Sequence, residues 1–252
     1  NFDNISAIGE NATYAIDVSK YGNNGTFGNG TAGTQPNWTT SGKYGSALSF
    51  DGVNDYVDAG NSTSLNITNA ITVEAWIKPS SIAQFSSRRD VVHKANSFNL
   101  GFGYESNKSQ FNVKYDGVDH WAATLISSWS SNVWYHVVGT FDGNNIRIYV
   151  NGNLENTTTF TGGIATTNSN VTIANSDFPF NGSIDEVRIW NRSLSAAEIT
   201  QHYYSNLYKY DTDKWAFYTN QSNLTTGTYT YQGFAKDTSG NQNSTDLRYL
   251  IV

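Results

Sequence analysis

The chain has 252 residues, and 15 Lys and Arg against 21 Asp and Glu give it a formal net charge of −6. It contains neither Cys nor Met, which excludes disulfides, thiol catalysis and cysteine-ligated metals. No apolar run approaches the ~20 residues of a membrane-spanning helix, and the acidic balance argues against nucleic acid as a partner.

The first half of the chain is rich in short segments that alternate between apolar and polar residues. Residues 48–50 lead through a turn at 51–55 into residues 56–58, which predicts two strands joined by a turn. Residues 71–77 and 133–141 each alternate between an apolar face and an amphipathic face. Short strands at frequent intervals are typical of an all-β sandwich or barrel.

The second half adds a hairpin and one helix. Residues 146–150 form an apolar strand that ends at Asn151-Gly152, a pair that tolerates positive φ and favours a tight hairpin turn. Ser195 and Glu198 have the spacing of a capping box, which predicts a helix from there to about Ser205. We expect this helix to cover an end of the sheets.

Six segments carry a family resemblance when they are taken in chain order. They are DVSKYGNNGT at 17–26, GSALSFDGVNDYV at 45–57, TVEAWI at 72–77, WYHVV at 134–138, IYVNG at 148–152 and GSIDEVRIWNRSLS at 182–195. This series resembles the LamG-like jelly-roll domains of the concanavalin A-like lectin/glucanase class. The resemblance covers roughly residues 2–205. It implies an all-β fold, a jelly-roll sandwich of two antiparallel sheets, over a domain at 1–205.

The remaining residues, 206–252, are predicted to form a second, small β segment. Alternation at 228–236 and 247–252, around a turn at 237–241, resembles the last hairpin of immunoglobulin-like or fibronectin-type modules. About 45 residues are too few for such a module, which needs about 100. The segment therefore either docks on the jelly roll or pairs with a strand of a neighbouring subunit. In the second case the inserted side chains would be Leu247, Tyr249 and Ile251.

Asparagine within Asn-x-Ser/Thr is the strongest compositional signal. The motif occurs about twice as often as random order predicts, and we expect N-linked glycans at most copies on an extracellular protein. The alternative is that Asn, Ser and Thr are abundant in turns. Many such motifs without Cys are more typical of an archaeal than of a eukaryotic cell surface. The acceptors are Asn4, Asn11, Asn24, Asn29, Asn37, Asn61, Asn66, Asn107, Asn156, Asn170, Asn181, Asn191, Asn220, Asn223 and Asn243.

A structural Ca²⁺ is implied by the family resemblance, which allows an ion to link the first strand region to the last. Asp185 matches the acidic position of the closing strand, Asp51 and Asn54 lie in the matching hairpin, and Asp3 could approach from the first strand. Oxygen ligands of this kind suit Ca²⁺. The alternative is that Asp-Gly and Asn-Asp pairs only form turns.

Catalytic motifs are not found. Glycoside hydrolases of this class need paired carboxylates, but the expected Glu-x-Asp-x-x-Glu strand does not occur and the six Glu are scattered. There is no G-x-S-x-G elbow, H-E-x-x-H helix or phosphate-binding loop, and the four His lack ligand spacing. Aromatic side chains that could stack on sugars are Trp76, Trp121, Trp129 and Trp134, although a strand Trp is more often a packing residue.

The sequence therefore predicts a non-catalytic, heavily N-glycosylated structural or adhesive protein on the outside of the cell. We expect it to be a building block of a cell-surface layer or filament. Its expected partners are other copies of itself, neighbouring surface-protein domains and glycans, without nucleic acid and without membrane insertion. A carbohydrate-binding adhesion module is the first alternative, and a glycoside hydrolase is the second.

Overall fold

A computed structural model describes residues 2–103, 107–221, 224–236 and 239–252. The chain divides into two compact units, Asn1–Tyr218 and Thr219–Val252. Within the described residues, no helix is long and apolar enough to cross a membrane.

Two antiparallel sheets build the first unit. The sheet called A here has eight strands, in spatial order β1 (Tyr14–Ala15), β2 (Gly25–Phe27), β5 (Val57–Asp58), β14 (Val171–Ile173), β7 (Arg89–Lys94), β8 (Phe98–Phe102), β9 (Ser109–Tyr115) and β10 (Val118–Ala123). Sheet B has seven, in the order β13 (Asn153–Thr159), β12 (Asn145–Val150), β11 (Tyr135–Phe141), β6 (Ile71–Pro79), β15 (Asn181–Trp190), β4 (Ala47–Asp51) and β3 (Asn37–Thr39). The predicted two-sheet jelly roll is confirmed.

The apolar faces of the two sheets meet in one continuous core. Alternate residues of β6, from Ile71 to Ile77, point into it as the pattern predicts, and Phe98, Leu100 and Phe102 of β8 meet them from sheet A. The sheets approach closely at Gly139, where an added Cβ would lie 2.0 Å from the ring of Phe111. Interiors of this density do not tolerate an extra methyl group without strain.

Two turns show different outcomes for the sequence interpretation. Asn151 and Gly152 have φ of 50° and 79°, as the predicted tight turn between β12 and β13 requires. The expected hairpin around 51–55 is wrong. β4 pairs with β3 and β15 in sheet B, whereas β5 pairs with β2 and β14 in sheet A. The turn therefore carries the chain from one sheet to the other.

The one α-helix of the described residues, α1 (Ala196–Tyr204), begins with the predicted capping box. The Ser195 side chain accepts from the Glu198 N–H, and Glu198 accepts from the Ser195 N–H. Ile199 packs on Val138 and Tyr149, so α1 covers the outer face of sheet B and not an end of the sheets. The outer side chains of β6, which the sequence predicts to form an amphipathic face, are buried.

Three small two-stranded sheets follow α1. They are β16 (Ser205–Lys209) with β17 (Trp215–Thr219), β18 (Thr228–Tyr231) with β21 (Arg248–Ile251), and β19 (Phe234–Lys236) with β20 (Gln242–Ser244). The first compact unit thus reaches Tyr218, beyond the boundary expected after residue 205. Nearly every described residue of the second unit is exposed. Isolated two-stranded sheets are marginally stable in water.

Candidate functional site

A row of polar side chains crosses the outer face of sheet A. Strand register places them side by side from one strand to the next, and the row extends over seven strands. With strands about 4.8 Å apart, it is about 29 Å long. Its members are Thr26, Asp58, Thr172, His93, Asn99, Asn112 and Trp121.

The middle of this row is buried but not satisfied by hydrogen bonds. Asn99 is 2% exposed, and neither its Oδ1 nor its Nδ2 has a partner. The Oγ1 of Thr172 and the Oδ1 of Asn112 are also buried without a partner. A buried polar atom without a hydrogen bond costs about 1–3 kcal/mol, and four such atoms on three residues of one row call for an explanation.

Three members of the row, His93, Asn99 and Asn112, line a small cavity of about 160 Å³, which we call the cradle. Its lining residues are Arg88, His93, Lys94, Ala95, Asn96, Ser97, Phe98, Asn99, Asn112, Lys114 and Asp119. Gly101 lies beside Asn99 on the same face, and a Cβ there would come within 3.1 Å of the Asn99 Oδ1. The same Cβ would lie 2.4 Å from the Arg89 carbonyl oxygen, so only glycine fits where β7 and β8 approach here.

The charged groups around the cradle are paired with each other except Lys94, whose ammonium donates to uncharged acceptors of Asn61, Leu65 and Asn66. Arg88 binds Asp90 through both ends of its guanidinium, at 2.9 and 3.0 Å. Lys114 lies 3.9 Å from Asp119, which also accepts from the Nδ2 of Asn112 at 3.2 Å. The cradle is therefore polar with largely compensated charges, which suits a hydroxyl-rich ligand without strong charge.

The outer face of sheet B holds a different polar cluster, centred on Glu74. This fully buried carboxylate accepts from His136 at 3.2 Å, from His202 of α1 at 3.1 Å and from the Trp190 indole at 2.9 Å. Burial alone would raise the pKa of Glu74, but these two histidines and Arg188 outweigh it and hold the pKa well below its usual range. His136 is buried, and desolvation lowers its pKa. This cluster is closed by α1 and ties the helix to the sheet.

The residues predicted to bind Ca²⁺ are not brought together as one set. A β-bulge interrupts β15 between Asp185 and Arg188, and Glu186 within it has φ of 50°. Asp185 accepts from the N–H groups of residues 43 and 44, and Asp3 accepts from that of Ser46, so these two acids meet at the same turn. Burial, with the charge of Glu186, raises the pKa of Asp3 to about 6. The same causes hold the pKa of Asp185 well above its usual range.

Asp51 and Asn54 lie elsewhere. Asp51 is opposite Asn181 at the beginning of β15, four residues before Asp185. Its Oδ1 accepts from the N–H groups of Val53 and Asn54, which is the turn function considered as the alternative. The four residues do not fit a single ion, and no three His, Asp or Glu side chains of the described ranges are arranged to hold a metal.

The predicted glycan acceptors differ in accessibility. Asn223 lies outside the described residues. Of the other fourteen, the half-buried ones are Asn24, Asn61, Asn66, Asn156 and Asn181, and the remaining nine are exposed. Asn61 and Asn66 accept from the buried Lys94 through Oδ1, at 3.1 and 2.6 Å, which leaves Nδ2, the atom that carries an N-linked glycan.

The predicted assembly residues are exposed, at 50% for Leu247, 66% for Tyr249 and 80% for Ile251. Register with β18 places Tyr249 and Ile251 on one face, opposite Thr230 and Thr228. Neighbouring apolar side chains that are this exposed are typical of an interaction surface. Their role in assembly stays a prediction.

Sequence reasoning found one residue of the row, Trp121, which is 39% exposed; Trp76 and Trp129 are buried in packing. His93, Asn99 and Asn112 were missed. Alternation in 98–102 and 109–115 places Asn99 and Asn112 on the outer face. No pattern in the sequence shows that the neighbouring segments enclose them.

Two sheets with an open polar face on one of them define a lectin- or glucanase-like jelly roll. The profile of the concanavalin A-like lectin/glucanases superfamily (Laminin_G_3) matches residues 51–200, more than half of the chain, and the chain belongs to this superfamily. No curated protein sequence matches it.

Solved structures with this fold include the binding domains of a neurotoxin and of a mosquitocidal protein, and one domain of an enzyme. The botulinum neurotoxin serotype G binding domain has a TM-score of 0.59 at 18% identity, over 75% of this chain and 47% of that one. The binding domain of Paraclostridial Mosquitocidal Protein 1 gives 0.58 at 16%, over 76% and 51%. This chain thus spans about half the length of these two structures.

A third similar structure is a complex with a sugar. Domain 4 of AbnA, a GH43 extracellular arabinanase from Geobacillus stearothermophilus, in complex with arabinotriose, has a TM-score of 0.55 at 21% identity, over 70% of this chain and 86% of that one. At these identities the likeness concerns the fold.

Proposed function

We propose that this protein is a non-catalytic carbohydrate-binding module whose ligand is a neutral oligosaccharide bound in the cradle of sheet A. The observation that carries the proposal is the Asn99 amide, which is buried with both of its polar atoms unpartnered. A ligand hydroxyl can donate to Oδ1 and accept from Nδ2 at once. Water supplies the same groups, but a ligand that fills the cradle binds several of these atoms together.

The shape of the row supports a chain-like ligand. His93, Asn99 and Asn112 are neighbours across three strands, and Trp121 adjoins them on the edge strand β10. An indole face stacks on the apolar side of a sugar ring while amides bind its hydroxyls. The row of seven residues is several times longer than one sugar ring, which favours a linear oligosaccharide.

A binding role without catalysis is supported by the state of the acids beside the cradle. Hydrolysis needs one carboxylic acid that donates a proton and a second carboxylate across the bond. Asp90 is fully buried and bound by both ends of Arg88, and Asp119 accepts from Asn112, so both acids already have protein partners. Two of the similar structures are binding domains by their titles.

Isothermal titration calorimetry tests the proposal. Arabinotriose is the first probe, with cellotetraose and xylotetraose beside it and sialyllactose as a charged comparison. We expect one neutral oligosaccharide to bind, and Asn99→Ala to weaken its binding at least tenfold. Asn153→Ala, an exposed asparagine of β13, is the matched control. No binding of any neutral oligosaccharide, or equal binding by Asn99→Ala, would contradict the proposal.

A structural role at the cell surface is the second candidate. N-linked glycans, an extracellular location and an archaeal origin stay predictions of the sequence. The structural role is supported by the nine exposed Asn-x-Ser/Thr acceptors and by the exposed apolar side chains of β21. Size-exclusion chromatography should show a smaller species when Tyr249 and Ile251 are both changed to Lys. Mass spectrometry of native protein with unmodified peptides throughout would remove the glycan support.

A further inference from the structure

The orientation of the Asn175 amide is determined by its neighbours. Its Oδ1 accepts from the N–H of Asp177 at 2.8 Å, so the oxygen cannot point the other way. Its Nδ2 therefore faces the cradle wall, 2.8 Å from the Nδ1 of His93 and 3.2 Å from the Oδ2 of Asp90. Asn175 itself is 8% exposed.

This orientation determines the proton position on His93. An amide nitrogen only donates, so Nδ1 must accept, and the neutral ring carries its proton on Nε2. Within the described residues, Nε2 makes no hydrogen bond, and the ring lines the cradle. On the row, His93 lies between Thr172 and Asn99, both uncharged.

Asp90 could draw the proton to Nδ1, because its Oδ2 lies 3.9 Å away. Arg88 opposes this by binding both carboxylate oxygens of Asp90. Burial lowers the pKa of His93; Asp90 and Asp177 act to raise it, and Arg88 to lower it. These are the charged groups that face the ring from β7 and from the segment after β14.

We propose that Asn175 is a positioning residue that makes His93 a hydrogen-bond donor of the cradle. The ligand then presents an acceptor oxygen to the Nε2–H of His93 and a hydroxyl to Asn99, one strand away. Two neighbouring hydroxyls of one sugar ring meet this requirement, so the ligand class is a saccharide with a free vicinal diol. This inference rests on the proposed function for its ligand, but the proton position does not.

Nuclear magnetic resonance of the ligand-free protein tests the proton position. A long-range ¹H–¹⁵N spectrum at pH 7.5 is expected to show His93 protonated on Nε2 and bare on Nδ1. His93→Gln identifies the signal. A ring protonated on Nδ1 overturns the inference, even if a sugar binds.

The near-isosteric Asn175→Asp tests the positioning role. A carboxylate beside Nδ1 attracts a proton there, so the His93 pKa should rise, and arabinotriose should bind about tenfold more weakly. His93→Gln, which keeps an amide donor, should retain more binding than His93→Phe. Thermal melts of each variant separate misfolding from loss of the donor. An unchanged His93 pKa in a folded Asn175→Asp variant overturns the inference.

The pH dependence of binding is a further readout. Protonating Nδ1 sets two donors face to face and displaces Asn175, so arabinotriose binding should weaken as the pH falls through the His93 pKa, below 6.5. In Asn175→Asp this trend should reverse, because the carboxylate accepts from the protonated Nδ1 and the charged ring regains its Nε2–H donor. A pH-independent affinity would count against His93. If the proton lies on Nε2 but no oligosaccharide binds, the proposed function and the sugar contact of His93 are both overturned, while the positioning by Asn175 stands.

Discussion

The outer faces of the two sheets both contain buried polar side chains, but these differ in how far their hydrogen bonds are satisfied. On sheet B, Glu74 accepts hydrogen bonds from two histidines and a tryptophan, and α1 covers the cluster. On sheet A, Asn99 is equally buried, yet its amide has no partner. Two atoms on sheet B, the His136 Nδ1 and the Thr140 Oγ1, also lack partners, but they do not line the cradle.

This difference indicates that the outer face of sheet B stabilises the fold, whereas the outer face of sheet A is suited to bind a ligand. A buried charge with several donors is costly to disturb, because loss of one partner leaves the others unpaired. A buried amide without partners already costs free energy in the unbound protein. That cost is recovered when a ligand supplies the missing hydrogen bonds.

The largest expected effect is on sheet B. Glu74→Gln removes the charge that faces His136, His202 and Arg188, and should lower the free energy of unfolding by about 3–5 kcal/mol in urea denaturation. Asp211→Asn, which removes a surface acid that pairs with Lys214, should change stability little. Equal effects of the two substitutions would show that the cluster does not hold α1.

On sheet A, replacing a buried polar residue should instead raise the free energy of unfolding. Asn99→Leu replaces an unsatisfied amide by an apolar side chain of similar size, and should raise the free energy of unfolding by about 1–3 kcal/mol while saccharide binding is lost. Urea denaturation and calorimetry measure the two quantities on one preparation. A destabilised variant would mean that the amide has partners in the unbound protein, such as ordered water.

The cover over sheet B should respond to its helix cap. Ser195→Ala removes the side chain that accepts from the Glu198 N–H, and should cost about 1 kcal/mol of unfolding free energy. Ser193→Ala, in the segment before the helix, is the control for a lost hydroxyl. Saccharide binding on the opposite sheet should not change, and a parallel loss of binding would refute the independence of the two faces.

The smallest expected effect concerns Asp3. Its folded pKa is raised to about 6, so its contribution to stability is complete below the unfolded value of 3.8 and is lost as the pH rises through 6. Melting curves at pH 4 and 7 should show this loss, and Asp3→Asn should remove it. His136 acts in the opposite sense, because its lowered pKa means that stability is lost as the pH falls below 6.5.

Calcium belongs to the same experiment. If Asp3 and Asp185 contribute to a Ca²⁺ site, as the sequence predicts, Ca²⁺ should raise the melting temperature at pH 7 by a few degrees relative to chelator, and Asp3→Asn should reduce the shift. Identical melting with Ca²⁺ and with chelator would reject a stabilising site.

Strands and the helix cap were predictable because they depend on local pattern. The alternation in 71–77 identified the core face of β6, and Ser195 with Glu198 identified the beginning of α1. The hairpin around 51–55 was not predictable, since a turn has the same residues whether the next strand pairs beside it or joins another sheet. Alternation assigns side chains to a face but does not say what covers that face.

By itself the sequence determined an all-β protein, because hydrophobic periodicity and turn residues act over a few neighbours in the chain, while the lectin/glucanase type came from the resemblance of six segments to that class. Only the tertiary structure decided that Glu74 is closed under a helix and that Asn99 is left open. Both are buried polar residues on alternating strands. The partners of Glu74 lie 62 to 128 residues away in the chain, whereas the Asn99 amide has no partner among the described residues. Hydrogen-bond satisfaction is a property of that three-dimensional neighbourhood.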